Sequence, residues 1–367
     1  MTTDPLHPQG PGRVKRGLGG VYVLVSAALL SCALVGRLAT AAPGWLVVLM
    51  MVLPFAFGIL SAAGLVLWFW GAPHARRTFL ALVLACSCLW FSLFLPWRGA
   101  PDDESVRVLN WNVQRFWGVE SDRAASRECV QDTLERIQPD VVSLVEISKQ
   151  DVTWVERSLG LTCAHTNTLI RQPADEDATD RSGLAVCVRA GQLALTRSWP
   201  HRLTLDAPEH AQFAEIESAQ GRFNVMAVYL PTYEDVREAV VRLRTGERGA
   251  FGALMSVSEV SRTQIALAEG LIEHVETRFA DPTILAGDFN ITRDFATHRR
   301  LRRSLVDTWE RAGFGFGGTR AFGGFEPRVD FIYADRRFEV LDAEIFEAPC
   351  SDHQPILAEV ALEKHKG

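Results

Sequence analysis

The 367-residue sequence lacks a strong charge of one sign: 38 Lys and Arg against 44 Asp and Glu leave a formal net charge of −6. It holds no basic tract, so nothing announces non-specific binding to nucleic acid, although a locally basic groove would still be compatible with that balance. Cysteine is sparse, with 7 residues at irregular spacing that matches no metal knuckle. No internal repeat is visible, which excludes solenoids and arrays.

What is present is unevenly distributed. Up to about residue 98 the chain is dominated by apolar residues, and beyond that it reads as a charged globular domain. Three apolar stretches, 19–36, 45–70 and 79–97, each approach the roughly 20 residues that cross a bilayer. The basic start at Arg13, Lys15 and Arg16 resembles a signal peptide, but two further uninterrupted runs favour three transmembrane helices. Trp45, Trp68, Trp70, Trp90 and Trp97 lie near the ends of these runs, as interfacial aromatics do. Arg13, Lys15, Arg16, Arg76 and Arg77 fall on one side. Arg37 falls on the other, as does Arg98 with Asp102, Asp103 and Glu104. The positive-inside rule therefore predicts a cell-membrane protein with a cytoplasmic N-terminus and an extracytoplasmic C-terminal domain. Cys32, Cys86 and Cys88 belong to the apolar runs, and Cys129, Cys163, Cys187 and Cys350 to the exported part. A disulfide is allowed there, but spacing selects no pairing, and Cys350 reads as a small core residue.

The expected organisation is a membrane region over 1–98, a polar linker over 99–104 and a domain over 105–364. Its roughly 260 residues suffice for one large α/β or α+β domain. Strands are predicted at 106–113, 140–145, 183–188, 193–198, 212–216, 223–229, 283–286, 329–333, 339–345 and 356–362. Helices are predicted at 124–137, 150–159 and 257–278, the last from Ile265, Leu267, Leu271, Ile272 and Val275 near helical spacing. Many strands are apolar throughout, so both faces should be covered. Hairpins interleaved with helical crossovers predict two mixed sheets flanked by helices rather than one doubly wound sheet. The acidic run 174–180 reads as an exposed loop.

The candidate functional residues sit where strands give way to loops, the place where a rigid sheet presents chemistry. Glu146 closes the apolar run 141–145; such a carboxylate is costly unless solvated, paired or metal-bound. In Gly287-Asp288-Phe289-Asn290 the glycine permits close backbone approach, and Asp288 and Asn290 lie two apart on one side. An Asp there suits orientation of a water, and an Asn suits donation to a phosphoryl oxygen. Asp330, in Arg328-Val329-Asp330-Phe331-Ile332-Tyr333, is the kind of carboxylate that orients a histidine and leaves its other nitrogen for a phosphate. Ser351-Asp352-His353-Gln354-Pro355 places such a histidine at the mouth of the last strand. Each motif alone has a plainer reading: an exposed strand-end Glu, a turn, or a strand-surface Asp.

In order, Leu109-Asn110-Trp111-Asn112, the run from Pro139 to Glu146, the run from Ala227 to Pro231, Gly287–Asn290, Arg328–Ile332 and Ser351–Pro355 resemble the endonuclease/exonuclease/phosphatase superfamily. The resemblance implies a four-layer α/β sandwich, a divalent metal, and in-line attack of water on a phosphoester or anhydride. By resemblance, Asn112 and Glu146 form the metal side with Asp352 nearby. Asp288 orients or deprotonates the water, Asn290 stabilises phosphoryl oxygens, Asp330 orients His353, and Tyr229 lies near the phosphate. Carboxylate and amide oxygens prefer a hard cation, magnesium, manganese or calcium, to zinc, and the resemblance implies magnesium, with manganese as the other choice. Gln114 stands where some members carry an acidic residue, and Thr232 where abasic-site nucleases carry Asn. With no basic, aromatic-studded insertion to enter a duplex, these departures weaken a DNA-repair reading.

The apolar N-terminal quarter, with the segments 287–298 and 315–319, is similar to a bacterial subgroup that includes membrane proteins linked to vancomycin and teicoplanin resistance. That likeness implies a membrane-borne phosphate or pyrophosphate, such as a polyprenyl carrier, as substrate. The expectation is a membrane-anchored, metal-dependent phosphohydrolase whose partners are the bilayer and its phosphorylated substrate, with no protein partner implied. An exported nuclease or phosphodiesterase acting on DNA or RNA is the alternative, and an inactive membrane-tethered binding module is a third reading.

Overall fold

A computed structural model describes residues 11–38, 44–70, 104–116, 122–166, 182–201, 211–232, 250–321 and 326–363, with 80 and 203. The chain divides into two compact units, Met1–Ser92 with Asp294–Ala296, and Leu93–Arg293 with Thr297–Gly367.

The first unit contains helices α1 (Pro11–Leu38) and α2 (Gly44–Phe69), which contact one another. They take in the first two expected spans. The third expected span, 79–97, lies almost wholly outside the described residues, as do most of the linker and the acidic run 174–180. Among the described residues no helix is long and apolar enough to cross a membrane, so the three-span expectation is not supported. α1 and α2 run for 28 and 26 residues. Leu24, Ile59, Val66 and Phe69 in these helices are exposed.

The second unit opens with β1 (Val106–Asn112), a tight turn at Gln114–Phe116, α3 (Arg123–Ile137), β2 (Val141–Ser148) and α4 (Lys149–Leu159). There follow β3 (Leu161–Thr166), β4 (Ser182–Arg189), β5 (Ala194–His201), β6 (Ala211–Ser218) and β7 (Gly221–Tyr229). Then come α5 (Ala250–Glu273), β8 (Thr283–Asp288), α6 (Ala296–Ser304), β9 (Leu305–Asp307) and α7 (Thr308–Ala312). The unit closes with β10 (Asp330–Asp335), β11 (Phe338–Ile345) and β12 (Ile356–Leu362).

Two mixed six-stranded sheets result, with orders β11-β12-β1-β2-β4-β3 and β5-β6-β7-β8-β10-β9. Each has a parallel pair at its centre, β1 with β2 and β7 with β8, joined through α3 and α5 respectively. Val108, Val145, Val186, Val225, Ala286 and Ile332 face one another in the core between the sheets. Leu109, Trp111, Leu144 and Cys187 point the other way, against Val130, Leu134 and Val155 of α3 and α4. Apolar-both-sides strands are therefore satisfied as expected, sheet on sheet and sheet under helix. The Ser143 hydroxyl donates to the Ala286 carbonyl at 3.1 Å and ties the two central strands together across the interface.

Several boundaries differ from expectation. The strand expected to end before Glu146 continues to Ser148 through a bulge between Val145 and Ile147. The helix expected at 257–278 starts at Ala250 and closes in a π-helical turn, His274–Arg278. β3, α6, β9 and α7 have no counterpart among the expected elements. Two disulfides, Cys129–Cys350 and Cys163–Cys187, span 221 and 24 residues. Cys350 is therefore a cross-link from α3 to the segment before β12, not an incidental core residue.

Candidate active site

β1, β2, β8, β10 and the approach to β12 meet at one end of the two sheets, and each contributes a polar side chain there. Asn112 is the last residue of β1. Its amide nitrogen donates to Glu146 Oε1 at 3.0 Å and to Asp288 Oδ2 at 3.1 Å, while its Oδ1 accepts the Gln114 N–H at 3.0 Å. Asn112 therefore links carboxylates from both sheets and turns N–H, not oxygen, toward them.

Backbone strain is concentrated here. Gln114, Arg115, Phe116, Glu146 and Asn290 all have φ between 46° and 60°. For non-glycine residues that left-handed region costs free energy and persists only where the surroundings fix it, which is common at functional sites. The other described non-glycine residue of this kind, Gln138, ends α3. At Glu146 the extra bulge residue, on an otherwise buried strand, turns the carboxylate out to the Asn112 amide.

Asp288 ends β8, and its register partners are Tyr229 on β7 and Asp330 on β10. A side chain at the preceding Gly287 would run into the Val228 carbonyl of β7, so only glycine lets the two strands close beneath Asp288. Asp288 Oδ1 accepts the Asn290 N–H at 2.9 Å. The Asn290 side chain donates to the Leu230 carbonyl at 2.9 Å, and its Oδ1 faces Arg320 Nη1 at 3.5 Å.

His353 Nδ1 bonds Asp330 Oδ2 at 2.7 Å, and the other oxygen of Asp330 accepts from Asn110 Nδ2 at 3.3 Å. His353 Nε2 points inward, 3.8 Å from Asp288 Oδ2 and 3.9 Å from Asp352 Oδ1. The loop is held by backbone and side-chain bonds: Trp111 Nε1 donates to the His353 carbonyl at 2.9 Å, and the Ser351 hydroxyl donates to the Asn112 carbonyl at 2.8 Å. That hydroxyl oxygen also accepts the His353 N–H at 3.1 Å.

Burial and unbalanced charge set the electrostatics. Burial, with the neighbouring charges of Asp330 and Glu146, pushes Asp288 up to about 7 against the opposing pull of His353 and Arg320. Burial works to lower His353, but the charges of Asp330 and Asp288 and the bond to Asp330 outweigh it and raise the imidazole to about 9. Asp288, Asp330 and His353 bring ligand-type atoms within 4.8 Å of one another. A protonated His353 already bonded to Asp330 is a poor metal ligand, so of this set only carboxylate oxygen would suit a cation. Asp288 raised beside Glu146 marks excess negative charge that a hard divalent cation offsets, and oxygen donors suit such an ion.

Asn112, Glu146, Asp288, Asn290, Asp330 and His353 are thus brought into one connected network. Asp352 is on its rim, 3.7 Å from Arg320 Nε, and half-buried Tyr229 ends the strand beside Asp288. Residue-by-residue reading missed Arg320, an isolated arginine in a glycine-rich loop. It also missed Asn110 and Ser351, which support the histidine through Asp330 and the backbone.

Known structures share this architecture. A functionally unknown conserved protein from Enterococcus faecalis is 17% identical with a TM-score of 0.54, covering 70% of this chain and all of its own, 100%. The human Nocturnin catalytic domain with bound sulfate is 18% identical with a TM-score of 0.52, covering 73% of this chain and 97% of that one. A mannosyl-6-phosphatase from Bacteroides thetaiotaomicron is 14% identical with a TM-score of 0.51, covering 70% and 100%. At such identities the likeness is one of fold. The curated proteins give no match. The model of the Endonuclease/Exonuclease/phosphatase family matches residues 109–353, from the strand that carries Asn112 to the histidine itself. On that match, two-thirds of the sequence long, the chain belongs to the endonuclease/exonuclease/phosphatase family, whose members hydrolyse phosphoester bonds.

Proposed function

We propose that the chain is a divalent-metal-dependent phosphohydrolase, anchored at the membrane with its site outside, that cleaves a lipid-borne phosphoester or pyrophosphate by in-line attack of water. The observation that carries the chemistry is the Asp288–His353–Asp330 arrangement. One buried carboxylate near neutrality faces an imidazole held charged by another.

Asp288, buried at the end of β8 with Oδ2 held by the Asn112 amide, is placed to accept a proton from water. As the water oxygen bonds to phosphorus, its proton passes to Asp288. The bond to the leaving oxygen breaks with its electron pair, and that oxygen takes a proton from solvent. His353 holds its Nε2–H on a non-bridging oxygen throughout, with Asp330 fixing the ring through Nδ1. Asn112 keeps Glu146 and Asp288 in register. The fitting cation, held by Glu146 and its neighbours, would neutralise phosphoryl charge.

Three features support attachment outside the membrane. Leu24 of α1 and Ile59, Val66 and Phe69 of α2 are exposed, and large apolar side chains left in water forgo the free energy of burial. Arg13, Lys15 and Arg16 precede the first apolar run, and Arg76 and Arg77 lie between the second and third. Two disulfides suit an oxidising compartment.

The test is turnover by the full-length protein in detergent micelles with magnesium, offered a polyprenyl pyrophosphate, plasmid DNA and a soluble phosphodiester. Release of phosphate from the lipid, abolished by a chelator and restored by magnesium or manganese, is the expected result. Preference for plasmid DNA would establish the nuclease alternative. No turnover of any substrate with either metal would reject the hydrolase.

A further inference from the structure

Arg320 was not among the sequence candidates. Its backbone is stitched to both sides of the site: Arg320 N–H donates to the Pro327 carbonyl at 3.2 Å, Gln354 N–H to Thr319 O at 2.6 Å, and Ala321 N–H to Asp352 O at 3.0 Å. Arg320 and His353 form a β-bridge. The Thr319 hydroxyl oxygen accepts the N–H groups of Val329 and Asp330, at 3.0 and 3.1 Å. The arginine is therefore launched from a segment fixed to the strand of Asp330 and to the loop of His353.

Its side chain is less committed than its backbone. Among the described residues its guanidinium contacts are Asn290 Oδ1 at 3.5 Å and Asp352 Oδ2 at 3.7 Å. Both exceed the roughly 2.9 Å of a well-formed charge-assisted bond. By contrast, buried Arg328 meets Asp307 with two bonds of 2.8 Å each. Arg320 and Asp352 lie on the solvent side of the cluster, with side chains 30% and 34% exposed, whereas Asp288, Asp330 and His353 are buried. Desolvation opposes its charge, but Asp288, Asp352, Asp330 and Glu146 together keep it firmly protonated.

We infer that Arg320 is the residue that recognises a terminal phosphoryl group, bonding two of its non-bridging oxygens through the guanidinium fork while His353 Nε2 bonds the third. The inference rests on the hydrolase reading and adds the class of substrate: a phosphomonoester or terminal pyrophosphate in preference to a phosphodiester. The count of donors carries it. A terminal phosphoryl group has three non-bridging oxygens and close to two charges, whereas a diester has two and one. A planar guanidinium bonds two oxygens in parallel, which a point charge such as lysine does not. On binding, Arg320 exchanges its long contacts with Asp352 and Asn290 for the phosphoryl oxygens, so those residues act as its resting partners.

The experiment compares wild type, Arg320→Ala and Arg320→Lys as full-length protein in micelles with magnesium. Turnover is read on p-nitrophenyl phosphate and bis(p-nitrophenyl) phosphate, and binding of inorganic phosphate is read by calorimetry. The ratio of kcat/KM for monoester over diester falls about 10- to 100-fold in Arg320→Ala, the factor for a lost charge-assisted bond, and Lys restores it only in part. Inorganic phosphate binding weakens by a similar factor. The backbone bonds of Arg320 do not need its side chain, so circular dichroism should be unchanged. An unchanged ratio with unchanged phosphate binding overturns the assignment, as does equal loss on both esters. If wild type turns over neither ester, the hydrolase reading is decided by the lipid and DNA assays above, and phosphate binding alone decides the role of Arg320: dependence on the guanidinium upholds it and indifference rejects it.

Discussion

Two buried histidine–carboxylate groups sit on either side of β10, and they behave in opposite ways. Asp288, Asp330 and His353 form one; His298, Asp307 and Glu310 form the other, and each brings its ligand-type atoms within 4.8 Å. Around Asp307 and Glu310 the charges are compensated. Arg328 grips Asp307 with two bonds of 2.8 Å, and Asp307 Oδ1 also caps α7 through Trp309 N–H at 3.0 Å and Glu310 N–H at 3.3 Å. Glu310 lies 3.4 Å from His298, 2.9 Å from Arg302 and 3.5 Å from Arg293. Burial alone would raise it, but the bond and charge of His298 and the charges of Arg293 and Arg328 bring it down to about 2. In the first group the opposite holds, and Asp288 is driven up to about 7. The residue types barely differ. What separates a brace from the candidate reaction centre here is how closely the cations hold the carboxylates: Arg328 grips Asp307 with two bonds of 2.8 Å, whereas His353 Nε2 stands 3.8 Å from Asp288.

That contrast is open to direct attack. His353→Ala or Asp288→Asn should lower turnover about 10²- to 10⁴-fold, measured as kcat/KM, with the protein still folded. His298→Ala should instead lower stability and leave turnover within a few fold; loss of turnover in a folded His298→Ala protein would break the division. Next in size, Arg328→Ala leaves Asp307 buried and unpaired, which should cost about 3–5 kcal/mol in urea unfolding.

Opening a disulfide should cost about 2–4 kcal/mol. The Cys129→Ser/Cys350→Ser pair should lose more turnover than Cys163→Ser/Cys187→Ser, because Cys350 immediately precedes the Ser351 that anchors Asn112 and His353. The smallest effect belongs to Glu310→Gln. The folded-state pKa of Glu310 lies below its ordinary 4.5, at about 2. Its contribution is therefore complete above pH 4.5 and fades as pH falls toward about 2. Part of it is screened because Arg302 is half exposed, leaving about 1–2 kcal/mol at neutral pH. Stability measured against pH should show wild type and Glu310→Gln converging on the acid side. A constant gap down to pH 2 would remove Glu310 from the brace.

Much of this was legible in the sequence because the strands carrying the site are long, apolar and end in polar motifs, as at Asn112, Asp288 and the approach to Ile356. The bulge at Glu146 was not, since a charged residue after an apolar run reads as the end of the strand and not as an extra residue within it; its signature is a φ of 56°. α6 was hidden for another reason: its nine residues, ATHRRLRRS, include too few apolar positions to show a period. β9 is only three residues long and takes its identity from pairing with β10. Arg320 and the Cys129–Cys350 link were invisible because their partners are brought together by the fold and not by neighbouring residues.

The order of strands sets when the site comes into being. β12, last of the described strands, slots between β11 and β1, and the His353 loop leading into it is latched by Trp111 and Asn112 of β1. During synthesis the Asn112, Glu146 and Asp288 ends of their strands emerge before the imidazole that completes them. The candidate site is therefore complete only while β12 is paired between β11 and β1, and anything that frees that strand takes the imidazole away from Asp330.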